Sequence, residues 1–322
     1  MKILIVKTSS MGDIIHTLPA ISDAALKYKC IQFDWIVEED FIEIPAWHQS
    51  VKQVFSIAMR RWRKQLFKSS VKKEIINFRQ QIQKNKYDII IDVQGLLKSA
   101  LLLFYCKYDI SHGYNWSSAR ESLASLFYDK TYYIDKYQHA IERIRKLFAS
   151  ILNYTYIENK INYGINQYFS SLRRVDNNEK YIIFLHSSSR YDKCWPEYHW
   201  RMLIKLIEEK NLIIKLPWNT DLEFLQAKRI SSGFKNVKIL PKMSLEHIAK
   251  EILFSQAVVS IDTGLSHLTA AFNKHHIALY GPSNPNLIGI FGENQEICIS
   301  PNGKMESIKP IDVYQKLILK IR

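Results

Sequence analysis

Residues 1–20 read MKILIVKTSSMGDIIHTLPA, and the reading of this stretch decides the fold class. The run ILIV is continuously apolar, as a strand buried on both faces requires. A turn of small residues follows, and then an apolar-periodic stretch that reads as a helix. Strand, turn and helix open many phosphate-binding loops, because a helix N-terminus presents free N–H groups to an anion. This turn, however, carries Asp13. A carboxylate there repels a phosphate and calls for different chemistry. Pro19 falls inside the helical pattern, so the helix kinks there or begins only there.

Outward from this unit, short apolar runs recur with helical stretches between them, which is the pattern of parallel α/β sheets. In the first half, strands are expected at 2–6, 33–37 and 87–93, with helices after the first and third. In the second half they are expected at 181–186, 211–218, 237–240, 257–262 and 276–281. A helix fits between each successive pair, including SLEHIAKEILF, where Ser244 is placed to cap. The stretch 165–180, INQYFSSLRRVDNNEK, is polar at its end, lacks a strand pattern and marks a domain boundary. Two α/β domains of similar size are therefore expected, with ligands at the carboxyl ends of their strands across a shared cleft. The last segment, IKPIDVYQKLILKIR, has a Pro310 start and an amphipathic pattern suited to a closing helix.

The chain has 322 residues, 47% of them apolar and 24% charged, the profile of a globular enzyme rather than a disordered chain. ILIV is shorter than a signal-peptide core, and no segment is long and apolar enough to span a bilayer. Cys30, Cys106, Cys194 and Cys298 are far apart, with no spacing that suits zinc, so reduced thiols in a cytoplasmic protein are expected. Forty-five Lys and Arg against 31 Asp and Glu leave a formal charge of +14. That excess favours an anionic partner: nucleic acid, an anionic membrane surface or a phosphorylated substrate. Part of it also serves solubility.

Three stretches of the second half can carry chemistry. In VVSIDTGLSHLTAAF (258–272), a strand ends at Asp262 and a helix begins after a Thr-Gly turn. Thr263 can donate a hydroxyl, Gly264 permits close approach and the helix end favours a diphosphate, with His267 one turn in. Equally, Asp262 and Thr263 can cap the helix while His267 packs. In FLHSSSRYDKCWPEYHW (184–200), Ser188 and Ser189 can donate to phosphate oxygens and Lys193 can place a charge beside them. An ordinary serine turn with a solvated lysine is the plainer reading. In KLPWNTDLEF (215–224), Glu223 can accept from sugar hydroxyls or serve the helix start. No D-x-D pair occurs anywhere, so the usual carboxylates for Mg²⁺ on a nucleotide sugar are missing and metal-independent chemistry is expected.

In the first half, MRRWRKQLFK (59–68) gathers Arg60, Arg61, Arg63 and Lys64 around Trp62, and Lys68, Lys72 and Lys73 continue the charge. Such a cluster suits nucleic acid, an anionic lipid headgroup or an acidic sugar, and also a solvated helix face. Arg120, His139 and Arg143 can extend the same surface.

Taken in order, KTSSMGDIIHTLPA, FDWIVEE, RRWRK, YDIIIDVQGLLKSA, ARESLASLFY, FLHSSSRYDKCWPEYHW, KLPW, LPKMSL and SIDTGLSHLTAA resemble glycosyltransferase family 9, the lipopolysaccharide heptosyltransferases, over nearly the whole chain. One branch of that family has N-D-S-G where this chain has I-D-T-G. The resemblance implies an α/β GT-B architecture: an acceptor-binding Rossmann-like domain at 1–165, an ADP-heptose-binding one at 166–309, and a helix at 310–322 returning to the first. It implies transfer of L-glycero-D-manno-heptose from ADP-heptose to a Kdo residue of Kdo-lipid A, with inversion, at the cytoplasmic face of the inner membrane. ADP-heptose is then a co-substrate, with no metal or other cofactor and no nucleic-acid partner. Donor contacts match Ser188, Ser189, Lys193, Glu223, Met243, Asp262, Thr263, Gly264, Leu265 and His267. The general base matches Asp13, with Lys193 assisting the leaving group, and acceptor-binding cations match Arg60, Arg61, Arg63, Lys64 and Arg120. The chain departs from the pattern in having serines at 188 and 189, where relatives often carry threonines, and Cys194 where a histidine is common.

Three other readings stand beside this one. A dinucleotide-dependent oxidoreductase shares the sheet but would want G-x-G-x-x-G where the first turn has only Gly12. A nucleic-acid-binding protein shares the charge without a known motif. A family 9 enzyme with a different acceptor position keeps most of the same residues.

Overall fold

The computed structural model describes residues 1–65, 67–158, 160–170, 179–210, 212–319 and 321. The chain divides into two compact units, Met1–Tyr168 and Phe169–Arg322. The division falls within the 165–180 stretch, of which residues 171–178 lie outside the described residues.

The first unit is built on β1 (Lys2–Val6), β2 (Gln32–Glu38), β3 (Val51–Ile57), β4 (Lys86–Asp92), β5 (Lys107–Tyr114) and β6 (Lys130–Tyr132), in the order β3-β2-β1-β4-β5-β6. Every pairing is parallel. β1 sits in the middle, pairing Ile3 with Phe33 on one side and Ile89 on the other. That position explains why its side chains from Ile3 to Val6 are all apolar and fully buried. The strand order reverses between β1 and β4, so the loops leaving these two strands part at the sheet's carboxyl edge and open a crevice. The Asp13 loop leaves β1 at that crevice. It is tied down on both sides: the Trp35 indole donates to the Lys7 carbonyl at 2.9 Å, and Gln94 Oε1 accepts from the Thr8 and Ser9 N–H groups at 3.1 and 3.4 Å. Helix Met11–Ile15 then ends, and helix Leu18–Lys27 starts with Pro19 in its first turn, where the missing N–H costs nothing.

The second unit repeats the plan with β7 (Tyr181–Leu185), β8 (Ile213–Leu216), β9 (Val237–Ile239), β10 (Ala257–Ile261), β11 (His275–Tyr280) and β12 (Gln295–Ile299), in the order β12-β11-β10-β7-β8-β9. Its reversal lies between β7 and β10, so the loops after these strands flank the second crevice. Beneath it, Trp195 and Trp200 meet edge to face at 4.9 Å inside a core that includes Leu203, Ile214, Val259 and Leu279. Full burial of side chains this large contributes on the order of 2–3 kcal/mol each.

Four strands escaped the sequence pattern. β3, β6 and β12 are sheet edges and β5 lies next to one, and these carry polar residues such as Lys52 and Gln53, His112, Thr131 and Glu296. The expected start of β8 at Asn211 lies outside the described residues. Helix Pro310–Ile318 packs on helix Glu197–Ile207 and β11 of its own unit, because Val313 and Leu317 belong to the second unit's core.

Candidate functional site

Asp13 is the third residue of helix Met11–Ile15, and its Oδ2 accepts both from the Ser10 N–H at 3.0 Å and from the Ser10 hydroxyl at 2.9 Å. Its side chain is one-third exposed, and Lys7 Nζ stands 4.0 Å from Oδ1. Burial alone pushes this carboxyl upward. The positive charge of Lys7, the two Ser10 hydrogen bonds and the charge of Arg120 outweigh it and hold the group below its ordinary value. The loop thus presents an ionised carboxylate with Oδ1 accepting no hydrogen bond from the described residues.

Around it, the structure gathers groups from several elements. Arg120 is exposed, and its backbone lies beside Gly95 in the loop after β4. Arg143 donates to the Ser118 carbonyl at 2.9 Å and lies over the Tyr114 ring, and the His139 ring meets His16 at 5.4 Å. Asp92, at the end of β4, is fully buried and accepts from the Gln94 and Gly95 N–H groups and from the Tyr128 hydroxyl.

The basic cluster lies on helix Met59–Lys64, which is held by the Arg60 N–H donating to Glu38 Oε1 at 2.8 Å. Arg60, Arg63 and Lys64 are exposed. Arg61 differs from them. Its guanidinium is forked onto Glu39 and Glu74 at 2.9 to 3.1 Å, while the Trp62 indole also donates to Glu74. A depression of about 280 Å³ beside the helix is lined by Arg60, Arg61 and Lys64 but also by Glu38, Glu39 and Asp40. The surface is therefore of mixed sign, and the Arg61 charge is already met within the protein.

In the second unit, the expected donor residues fall in the segments that follow β7, β8, β9 and β10. Ser188 and Ser189 follow β7, and Lys193 closes the short helical turn Tyr191–Lys193. Lys193 Nζ donates to Asp262 Oδ2 at 2.6 Å, a pair only 15% and 7% exposed. Asp262 stands at the end of β10, and Thr263 caps helix Gly264–Ala271, with Ser266 Oγ accepting from the Thr263 N–H at 3.3 Å. Gly264 and Leu265 are half-buried in its first turn, and His267 is buried. Glu223 is held by a capping box: its Oε2 accepts from the Asn219 and Thr220 N–H groups at 2.7 and 3.2 Å. The plainer helix-start reading therefore accounts for one of its two oxygens. Met243 is half-buried just before Ser244, which caps helix Leu245–Phe254 as expected.

Sequence reasoning passed over Lys7, Asp92 and Gln94. The available signal was a lysine continuing a buried strand and an Asp-Val-Gln-Gly strand end at the matching place on β4. Among the described residues, no group of three or more His, Cys, Asp or Glu side chains is arranged to hold a metal ion, and no helix is long and apolar enough to cross a membrane.

Comparison with known proteins places these features. Residues 75–318 match the model of glycosyltransferase family 9 (heptosyltransferase). Lipopolysaccharide heptosyltransferase 1 of Escherichia coli K12 is 48% identical over 317 residues, covering 98% of this chain and 99% of that protein. Among solved structures, E. coli heptosyltransferase WaaC with ADP is similar at a TM-score of 0.95 and 46% identity, over 99% of this chain and 100% of that one. The same enzyme with ADP-2-deoxy-2-fluoro heptose gives a TM-score of 0.91 at 46% identity over 99% of both chains. These likenesses lend the oxidoreductase reading no support.

Proposed function

This chain belongs to glycosyltransferase family 9, the heptosyltransferases, and on that premise we propose that it moves L-glycero-D-manno-heptose from ADP-heptose to a Kdo residue of Kdo-lipid A in the lipopolysaccharide inner core. The observation that carries this reading is the near-full-length likeness to lipopolysaccharide heptosyltransferase 1 and to the ADP-bound WaaC structure. The first unit supplies the acceptor side and the second the donor side.

In the proposed reaction, Asp13 Oδ1 takes the proton of the acceptor hydroxyl as that oxygen attacks the anomeric carbon. The new carbon–oxygen bond forms on the face opposite the diphosphate. The bond to the phosphate oxygen breaks with its electron pair, so configuration inverts and ADP departs through an oxocarbenium-like transition state. Lys193, the Ser188 and Ser189 hydroxyls, and the helix N-terminus at Thr263 and Gly264 meet the charge that builds on ADP. Asp262 holds the Lys193 ammonium at that end of the helix, which supports this arrangement. Glu223 Oε1, Met243, Leu265 and His267 would contact the sugar and nucleoside. With no D-x-D pair in the chain, turnover is expected to continue in EDTA. The test is product formation with ADP-heptose and Kdo-lipid A. An Asp13→Asn protein that still binds ADP should lose nearly all turnover; near-full turnover would remove Asp13 from the base role.

Arg60, Arg63, Lys64 and Arg120 suit the carboxylate of Kdo and the phosphates of lipid A. A second feature supports contact with the inner membrane that carries this acceptor. The short helical segments Leu101–Tyr105 and Ser122–Phe127 bury Leu102, Leu103 and Ala124, but expose Leu101, Phe104, Leu123 and Leu126, with Phe104 and Leu126 about 70% exposed. Phe104 stacks edge to face on Phe127 at 5.9 Å, and Lys98 and Arg120 lie exposed just before the two segments. Exposed apolar side chains with cations nearby in the chain suit an anionic bilayer surface. Phe104→Ser with Leu126→Ser should abolish co-sedimentation with vesicles containing phosphatidylglycerol. Unchanged binding would move the contact elsewhere.

A further inference from the structure

Lys7 follows β1 directly and is 6% exposed. A lysine that deep in a sheet needs a reason, since burial of an ammonium is costly unless a carboxylate accompanies it. Burial lowers the Lys7 ammonium below its ordinary value, and two carboxylates oppose that: Asp13, whose Oδ1 lies 4.0 Å from Nζ, and Asp92, which acts on it from the end of β4. They are not equivalent. Asp92 already accepts three hydrogen bonds, at 2.8 and 3.2 Å from the Gln94 and Gly95 N–H groups and 2.8 Å from the Tyr128 hydroxyl. Asp13 has Oδ2 on Ser10 alone and Oδ1 facing Lys7.

We propose that Lys7 is a positioning residue for the reaction: a buried, fixed cation that keeps Asp13 ionised and its Oδ1 open to the acceptor hydroxyl. This rests on the base reading of Asp13. The separation matters, because 4.0 Å is too long for a hydrogen bond yet close enough for a strong field. Lys7 therefore stabilises the carboxylate without occupying the oxygen that must take the proton. The anchoring of its own backbone, with the carbonyl on the Trp35 indole and the next two N–H groups on Gln94, fixes where the ammonium stands. The other charged or titratable groups around the pair do not substitute for it. Arg120 is exposed and is proposed to engage the acceptor, while Arg143 is committed to Ser118 and Tyr114. Glu38, at the end of β2, receives the Arg60 N–H, and Tyr114 and Tyr128 are neutral phenols raised above their ordinary values by burial. His16, just after the helix of Asp13, is buried against His139.

The test is the pH dependence of kcat/KM for Lys7→Met, which matches lysine in length and leaves no polar group buried. Without the cation the acid limb should move up by about one pH unit, the lower end of what an opposite charge at this distance does to a carboxylate, because Asp13 is one-third exposed. Lys7→Arg should restore the wild-type limb. An unshifted limb in Lys7→Met would overturn the proposal, as would a uniform loss across pH. Titration of ¹³C-labelled aspartate in the wild-type protein gives an answer even if Lys7→Met does not fold, since an Asp13 midpoint at or above that of free aspartate refutes the role. Failure of the base reading would look different: Asp13→Asn would keep turnover while the Asp13 midpoint still moved with Lys7.

Discussion

Breaking the Lys193–Asp262 pair gives a quantity that the structure sizes closely. The ammonium and carboxylate are 2.6 Å apart and 15% and 7% exposed. At an effective dielectric constant near 20, unit charges 2.6 Å apart attract by about 6 kcal/mol, which sets a ceiling. Desolvation of both groups and the residual exposure of Lys193 reduce the net worth to about 2 kcal/mol, in the range of charge-assisted hydrogen bonds. Asp262→Asn keeps an acceptor at the same place but removes the charge, and Lys193→Met keeps the stem but removes the ammonium. Each single change should destabilise the second unit. The double variant should cost about 1.5–2 kcal/mol less than the sum of the two, because the second change finds the interaction already gone. Urea unfolding followed by circular dichroism and tryptophan fluorescence measures this, with Trp195 and Trp200 reporting from the core beneath. Costs that add to within about 0.5 kcal/mol would show that the pair does no work, and with it would go the argument that Asp262 holds Lys193 at the donor site.

Two further outcomes follow from particular side chains. Burial lowers His48 to about 4 and His276 to about 3, the second despite its hydrogen bond to Gln295. Both are neutral in the folded chain while the unfolded chain protonates below about 6.5, so the unfolded state binds more protons and stability falls as pH drops. The loss is roughly 1.4 kcal/mol per pH unit per histidine, ending near pH 4 for His48 and pH 3 for His276. Urea midpoints measured from pH 7 to 4 should show this slope, and His48→Gln should make it shallower; an identical slope would exclude His48. On the basic helix, Arg60→Glu with Arg63→Glu should raise the acceptor KM far more than the donor KM, whereas Arg61→Ala should lower the melting temperature, since Arg61 is tied to Glu39 and Glu74. Equal effects of the first change on both KM values would point to a folding defect instead.

How much of this was legible from residues alone depended on burial. β1, β7 and β10 lie in sheet interiors, so their sequences are continuous apolar runs that need no context to read. β3, β6 and β12 are edges with one partner, and the water-facing residues they tolerate erase the pattern. The same division runs through the site. Asp262 stands at the end of an interior strand and Asp13 in the short helix that follows another, and a carboxylate beside an apolar run draws attention. Lys7 stands beside one as well, but only the fold shows that it is buried and that Asp92, 85 residues later, shares its field. Arg61 read as one cation among seven because the acids that take its charge, Glu39 and Glu74, lie 22 residues earlier and 13 later. The helix that begins at Pro310 was legible from its amphipathic pattern, and its Val313 and Leu317 fill the second unit's core.

The central claim, that an ionised Asp13 drives transfer of heptose from ADP-heptose, meets its most direct test in one measurement: ADP and heptosylated Kdo-lipid A formed by the wild-type and Asp13→Asn proteins in EDTA, with ADP affinity determined alongside. The account predicts one ADP per heptosylated acceptor for the wild type, and unchanged ADP binding with turnover reduced by at least about a hundredfold for the variant. No product from the wild type, or near-full turnover from Asp13→Asn, would contradict it.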